Sequence, residues 1–146
     1  MTKAFIDTSV LFAAAYSKTG TAHDLVKLGI EKKVTLYISD DVITEVTRNF
    51  TNKYPDRLSI VELFFEKSAF SETPPITKDD ILKVAEYTAL KDAPIVAAAI
   101  KGECTHLVTY DRKHLLDPAE VAQKSGLKIL TPTEMLEALN IEDEKD

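Results

Sequence analysis

An α/β domain built on a parallel sheet with helices on both faces is the fold this sequence predicts, and three features predict it. Short runs rich in β-branched and aromatic residues, at 4–6, 34–38, 106–110 and 128–130, alternate with longer segments of helical periodicity. Each run is apolar along its length rather than on alternate residues, as strands covered on both faces must be. The chain's 146 residues, 45% of them hydrophobic, with only four glycines and six prolines, suit one packed core without an internal linker.

The elements follow in order. A strand at 4–6 is closed by Asp7, Thr8 and Ser9, and Val10, Leu11, Ala14 and Ala15 then recur at helical spacing. A second helix is predicted over 21–32, where Ala22, Leu25, Val26, Leu28 and Gly29 recur with charges between them, and the strand 34–38 follows. Ser39 is a good N-cap, Asp40 and Asp41 favour the positive end of a helix, and Val42, Ile43, Val46 and Phe50 line one face. A third helix therefore begins there. A fourth is predicted over 57–67, with a short strand at 69–72 before the Pro74-Pro75 break. Thr77 caps a fifth helix carrying Ile81, Leu82, Val84 and Ala85. The segment 92–100 is a helix with Pro94 in its first turn and apolar residues all round, as befits one buried against a sheet and its neighbours. After the strand 106–110 come a helix at 118–124 and a strand at 128–130. Thr131 and Glu134 form a capping box around Pro132, opening a terminal helix that runs to Leu139. Residues 1–141 are thus one domain, and 142–146, four acids and one lysine, a solvated acidic tail. Strand-to-strand connections should be right-handed crossovers.

Composition narrows the function. Asp7 interrupts the apolar opening and leaves only 10–15 unbroken, shorter than the roughly 7 to 15 residues of an export core. No run approaches the ~20 apolar residues that span a bilayer. Cys104 is alone, so it forms no intrachain disulfide and reads as an inert buried thiol. A cytoplasmic protein is the expectation. The net charge of −6 weighs against a nucleic-acid partner, because sequence-independent affinity for phosphates comes from basic surfaces.

Four acids stand out against that charge. In a doubly wound parallel sheet the functional crevice lies beyond the carboxyl ends of the strands. Asp7 follows the first strand directly, and Asp111 is expected to follow the strand 106–110 in the same way. Asp92 stands at the mouth of the alanine-rich helix, and Glu45, in the second turn of the helix begun at Ser39, sits about 60° from the edge of its apolar arc. Were all four to converge to about 5 Å, each ionised pair would repel by roughly 3 kcal/mol and the six pairs by on the order of 20 kcal/mol. That exceeds the about 5 to 15 kcal/mol a domain has in total. Raised pKa values relieve part of it; a hard divalent cation with oxygen ligands, magnesium or manganese, is the simpler remedy. Zinc is disfavoured because the three histidines and the cysteine show no ligand spacing. Thr8, Ser9 and Thr109 offer supporting hydroxyls, and two ions about 3.5 to 4 Å apart could clamp the attacking and departing oxygens of a phosphodiester.

At these residues the sequence resembles the PIN domain family. F-I-D-T-S-V-L is similar to its opening strand and first acid, I-T-E-V to its glutamate on a helix, L-K-D-A-P-I-V-A-A-A to its third acid, and L-V-T-Y-D-R-K-H-L-L to its T-x-D segment. The strings keep the family's order across residues 4–116. The resemblance implies a three-layer α/β/α sandwich on a five-stranded parallel sheet, with Asp7, Glu45, Asp92 and Asp111 as metal ligands and catalytic residues. It further implies magnesium- or manganese-dependent cleavage of RNA. Many small single-domain members are toxins of toxin–antitoxin pairs, often homodimeric and held inactive by a protein antitoxin, and this chain is similar in size. One position departs: many relatives carry a further acid two residues after the T-x-D aspartate, where this chain has Lys113, which puts a second metal in question.

Lys18, Arg48, Arg112 and Lys113 are candidates for substrate phosphate contact, and Lys53 and Arg57 could extend a basic arm from Arg48. His23 and His114 read as surface residues and His106 as the start of a strand. Tyr110 could stack on a base but reads better as a strand-end aromatic. Two other functions remain open at this point: a PIN-like module that binds RNA or a partner protein without cutting, and a phosphoryl-accepting α/β domain using Asp7. Against the phosphatase form of the latter stands Ser9, where a second acid is needed.

Overall fold

The computed structural model describes residues 2–67 and 69–145, the last five of them as backbone. Strands β1 (Lys3–Ile6), β2 (Thr35–Ile38), β3 (Phe70–Glu72), β4 (His106–Val108) and β5 (Lys128–Leu130) form one sheet in the order β3-β2-β1-β4-β5, every neighbouring pair parallel. Parallel neighbours need crossovers, and helices supply them. These are α1 (Thr8–Tyr16), α2 (Thr21–Ile30), α3 (Asp40–Lys53), α4 (Leu58–Glu66), α5 (Lys78–Ala85), α6 (Ala93–Lys101) and α7 (Ala119–Ser125), with α8 (Pro132–Lys145) after the last strand. The five-stranded parallel α/β architecture with helices on both sides is as the resemblance implied.

Burial explains why the two central strands read as unbroken apolar runs, whereas β2 is buried on alternate residues and β5 at the edge is not fully buried. Ala4, Phe5, Ile6, Leu107 and Val108, in the central pair β1 and β4, are all 0% exposed. Such strands must be apolar on both faces. In α6, Ala93, Ile95, Val96, Ala97, Ala98 and Ala99 are buried, so the run of small side chains meets packing on nearly every side.

Local chemistry accounts for most boundaries. Ser39 caps α3 through the Val42 N–H, Thr77 and Asp80 form a reciprocal capping box on α5, and Thr131 and Glu134 form another on α8. Some ends differ from expectation. α2 stops at Ile30 because Lys32 turns into the left-handed region, φ 62°. β4 stops at Val108, short of Tyr110, and a single π-helical turn at Arg112–Leu116 follows that hydrophobic periodicity does not predict. α8 continues past Leu139 to Lys145; the expected solvated character of 142–146 concerns side chains outside the described residues.

The strand order positions the site. From β1 the chain winds outward through β2 to β3, then returns to the other side of β1 with β4 and winds outward again to β5. Connections leave β1 and β4 in opposite directions, and a crevice opens between their carboxyl ends.

Candidate active site

Ile6 and Val108 are the last paired residues of β1 and β4, and the ladder goes one bond further, the Asp7 N–H donating to the Val108 carbonyl at 3.1 Å. Asp7 and Thr109 therefore leave the sheet side by side at the switch point. The Thr109 hydroxyl donates to Asp7 Oδ2 at 2.7 Å, and Thr109 Oγ1 in turn accepts the Asp111 backbone N–H at 3.0 Å. Thr109 is 0% exposed, so this hydroxyl is held by its surroundings and ties Asp7 to Asp111. Ser9 makes a parallel link: its hydroxyl donates to Asp7 Oδ2 at 3.1 Å and accepts the Tyr110 N–H at 3.3 Å. Asp7 Oδ1 caps α1 by accepting the Thr8 N–H at 2.8 Å, and the Thr8 hydroxyl donates to Glu45 Oε2 at 3.3 Å. The three predicted hydroxyls thus link three of the four predicted acids.

Asp92 stands at the cap position of α6 but makes no side-chain capping bond, and its Oδ2 is buried without a hydrogen-bond partner among the described residues. The neighbour that approaches it is His114 Nδ1, at 3.9 Å, too far for a hydrogen bond. The same ring nitrogen lies 3.4 Å from Asp111 Oδ2, while Asp111 Oδ1 accepts the His114 backbone N–H at 3.1 Å. Among the described residues, Asp92, Asp111 and His114 form a group of metal-capable atoms all within 4.8 Å of one another.

Asp7, Glu45, Asp92 and Asp111 all line one cleft of about 580 Å³, whose wall is completed by Thr8, Ser9, Phe12, Asn49, Lys53, Lys91 and Ile95. Asp7 and Glu45 belong to the cleft but not to the tight group, so the four acids share a site without sharing one point. Arg48 lines a groove that adjoins the cleft through Glu45, Asn49 and Lys91. Lys18, Arg112 and Lys113 are exposed and line neither; Arg112 instead faces Asp117 at 3.7 Å. Arg57 lies over the Tyr16 ring, 4.9 Å from its centroid, away from the cleft wall.

His114 is the functional candidate that sequence reading placed wrongly. The turn after Asp111 folds it back, so that it is half-buried against the acids instead of standing on the surface. Its i, i+3 spacing from Asp111 was the available signal, though it becomes informative only once a helical turn is known to start there. His23 is also partly buried, Nδ1 lying 2.9 Å from the Ala14 carbonyl, whereas His106 begins β4 as expected. The Cys104 thiol is pushed up to about 11 by burial, in keeping with an inert group.

Electrostatics follow from this packing. Burial raises the Asp7 pKa above the ordinary 3.8, against hydrogen bonds from Thr109, Ser9 and Thr8 that lower it; the Asp111 charge adds to the rise. Asp92 is raised by burial first and then by the Asp111 charge, with Lys91 and His114 opposing. Ionising this cleft is therefore costly, and Asp92 Oδ2 is a buried acceptor to which no described residue donates. A divalent cation fits both facts: it compensates the charge and engages the open oxygen.

The family and fold comparisons agree with this architecture. The model of the PIN domain family matches residues 3–113. No curated protein matches the chain. Among solved structures the fold is similar to PAE2754 from Pyrobaculum aerophilum at 21% identity and TM-score 0.63, covering 96% of this chain and 90% of that one. It is similar to VapBC2 from Rickettsia felis bound to a DNA fragment from their promoter, at 16% identity and TM-score 0.59, over 87% of this chain and 96% of that one. FitAcB from Neisseria gonorrhoeae matches at 14% identity and TM-score 0.59, over 88% and 97%. PIN domains are in general nucleases, and an acidic cluster stands in this cleft. Since the family match covers most of the sequence, from β1 through Lys113 in the turn after β4, this chain belongs to the PIN domain family.

Proposed function

We propose that the chain is a divalent-metal-dependent endoribonuclease that cleaves RNA phosphodiesters and acts as the toxin of a toxin–antitoxin pair. The observation that carries this reading is the convergence on one cleft of acids from four separate segments, one of them with a buried oxygen that has no hydrogen-bond partner among the described residues. Asp92 and Asp111 would hold magnesium or manganese, with Asp7 and Glu45 on the same wall. When bound, the ion supplies a Lewis acid that offsets charge on the phosphate and makes a coordinated water a stronger acid.

The protein's own groups do the rest. Thr109 and Ser9 hold Asp7 in one orientation, so the first acid spends no reorganisation when substrate arrives. That both Asp7 oxygens accept hydrogen bonds favours a fixed ligand over a nucleophile. Lys53 and Lys91 line the cleft itself, and Arg48 its adjoining groove, where they offset phosphate charge despite the acidic whole. Lys18, Arg112 and Lys113 are exposed outside it, and Lys53 and Lys91 join them as candidates for substrate contact.

A protein antitoxin as partner is supported by the similarity to VapBC2 and FitAcB, and a homodimer is the accompanying expectation. Purified wild type should cut RNA with magnesium or manganese and not with chelator, and Asp7→Asn and Asp111→Asn should remain folded while losing at least about a hundredfold in rate. Undiminished cleavage by both variants would refute the proposal.

A further inference from the structure

We propose that His114 supplies a nitrogen ligand to the ion in this cleft and thereby sets its preference for manganese over magnesium. The inference rests on the cleft being the metal site of the nuclease and adds a donor that its acids do not provide. Its basis is geometric. Atoms bound at about 2.1 Å to one ion stand roughly 3.0 Å apart on an octahedral edge and roughly 3.4 Å apart on a tetrahedral one. His114 Nδ1 is 3.4 Å from Asp111 Oδ2 and 3.9 Å from Asp92 Oδ2, and the three groups offer ligand atoms all within 4.8 Å of one another, so the donors face one space at somewhat more than ligand spacing and close on an ion by small side-chain shifts.

At 3.9 Å His114 and Asp92 make no hydrogen-bonded ion pair, and Asp92 Oδ2 is left buried without a hydrogen bond from any described residue. An unpaired buried carboxylate oxygen beside an imidazole nitrogen is costly in the metal-free protein and useful to a cation. Lys113 occupies the place where the family resemblance leads one to expect a further acid, but its side chain is exposed and lines no part of the cleft. The next residue reaches in instead.

Ligand chemistry gives the consequence. Magnesium prefers oxygen donors and keeps several waters, whereas imidazole suits first-row transition ions, whose affinities for a mixed nitrogen and oxygen site rise from manganese onward. One nitrogen among carboxylates therefore favours manganese at magnesium's expense. The backbone N–H of His114 bonds Asp111 Oδ1 at 3.1 Å independently of the ring, so truncating the side chain leaves the turn anchored.

Two measurements on the intact protein test this. Calorimetric titrations with manganese and with magnesium, on wild type and His114→Ala, report the selectivity directly. The wild type should bind manganese about tenfold or more tightly than magnesium, and His114→Ala should lose about tenfold or more in manganese affinity while magnesium affinity moves by less than about threefold. Pulsed electron paramagnetic resonance of the manganese-loaded wild type should show nitrogen coupling that the variant lacks. An unchanged affinity ratio, or a wild-type spectrum without nitrogen coupling, would overturn the inference while leaving a metal-dependent nuclease intact. Absence of any divalent binding by the wild type would remove both readings. If the variant fails to fold, the wild-type spectrum decides alone.

Discussion

At the scale of single residues, Thr109 shows how the fold prepares the cleft. Its hydroxyl has one proton, given to Asp7, and a lone pair that takes the Asp111 N–H, so one buried side chain sets the relation between acids 104 residues apart in sequence. Thr109→Val keeps the shape and removes both bonds, leaving the Asp111 N–H unpaired. The expected cost is about 1 to 3 kcal/mol in urea unfolding, together with weaker metal binding. A loss below a few tenths of a kcal/mol would show that water replaces the hydroxyl. The acids themselves make a pH prediction. Asp7 and Asp92 have folded pKa values above the unfolded value near 3.8, so the folded chain holds their protons more tightly than the unfolded one. Their stabilising contribution is full below the unfolded value and is lost as pH rises through the folded one. Metal-free thermal melts should therefore fall in midpoint across that window, and Asp92→Asn should raise the midpoint at neutral pH. A lower midpoint for Asp92→Asn without metal would mean that the charge is compensated within the chain.

At the scale of elements, packing overrides propensity in identifiable places. Gly29 sits inside α2, where alanine is ordinarily the better helix former, but a Cβ there would meet Leu36 Cδ1 at 2.6 Å and the Ala69 carbonyl at 3.0 Å. Gly29→Ala should consequently destabilise by about 1 to 3 kcal/mol, the reverse of its effect on an isolated helix. A stabilised variant in denaturant titration would show that α2 shifts freely against β2. Elements with strong local signals were legible: the cap at Thr77 and the capping box at Thr131 are chemistry written within four residues, and α6 is an unbroken apolar run. The turn at Arg112–Leu116 was not, because a π-helical turn has no hydrophobic period of its own and is held by Asp111 accepting the His114 N–H. That is why His114 read as a surface residue.

At the scale of the whole molecule, the sheet order explains what the sequence could disclose about the cleft. Asp7 was visible because it follows a strand, and strand ends at a switch point face the crevice in any doubly wound sheet. Asp111 was placed there for a partly mistaken reason, since β4 ends at Val108 and Thr109 bridges the gap. How close the acids come was illegible from spacing: Asp92, Asp111 and His114 cluster, while Asp7 and Glu45 stand on the same wall. The net charge of −6 is repeated in small at the cleft, where four acids outnumber Lys53 and Lys91, so the local field favours a cation before it favours phosphate.

Anomalous diffraction from crystals grown in saturating manganese would show whether this cleft holds a divalent ion. A peak is expected about 2.2 Å from Asp92 Oδ2 and from an oxygen of Asp111. A cleft without anomalous density, its carboxylates standing as they do here, would contradict it.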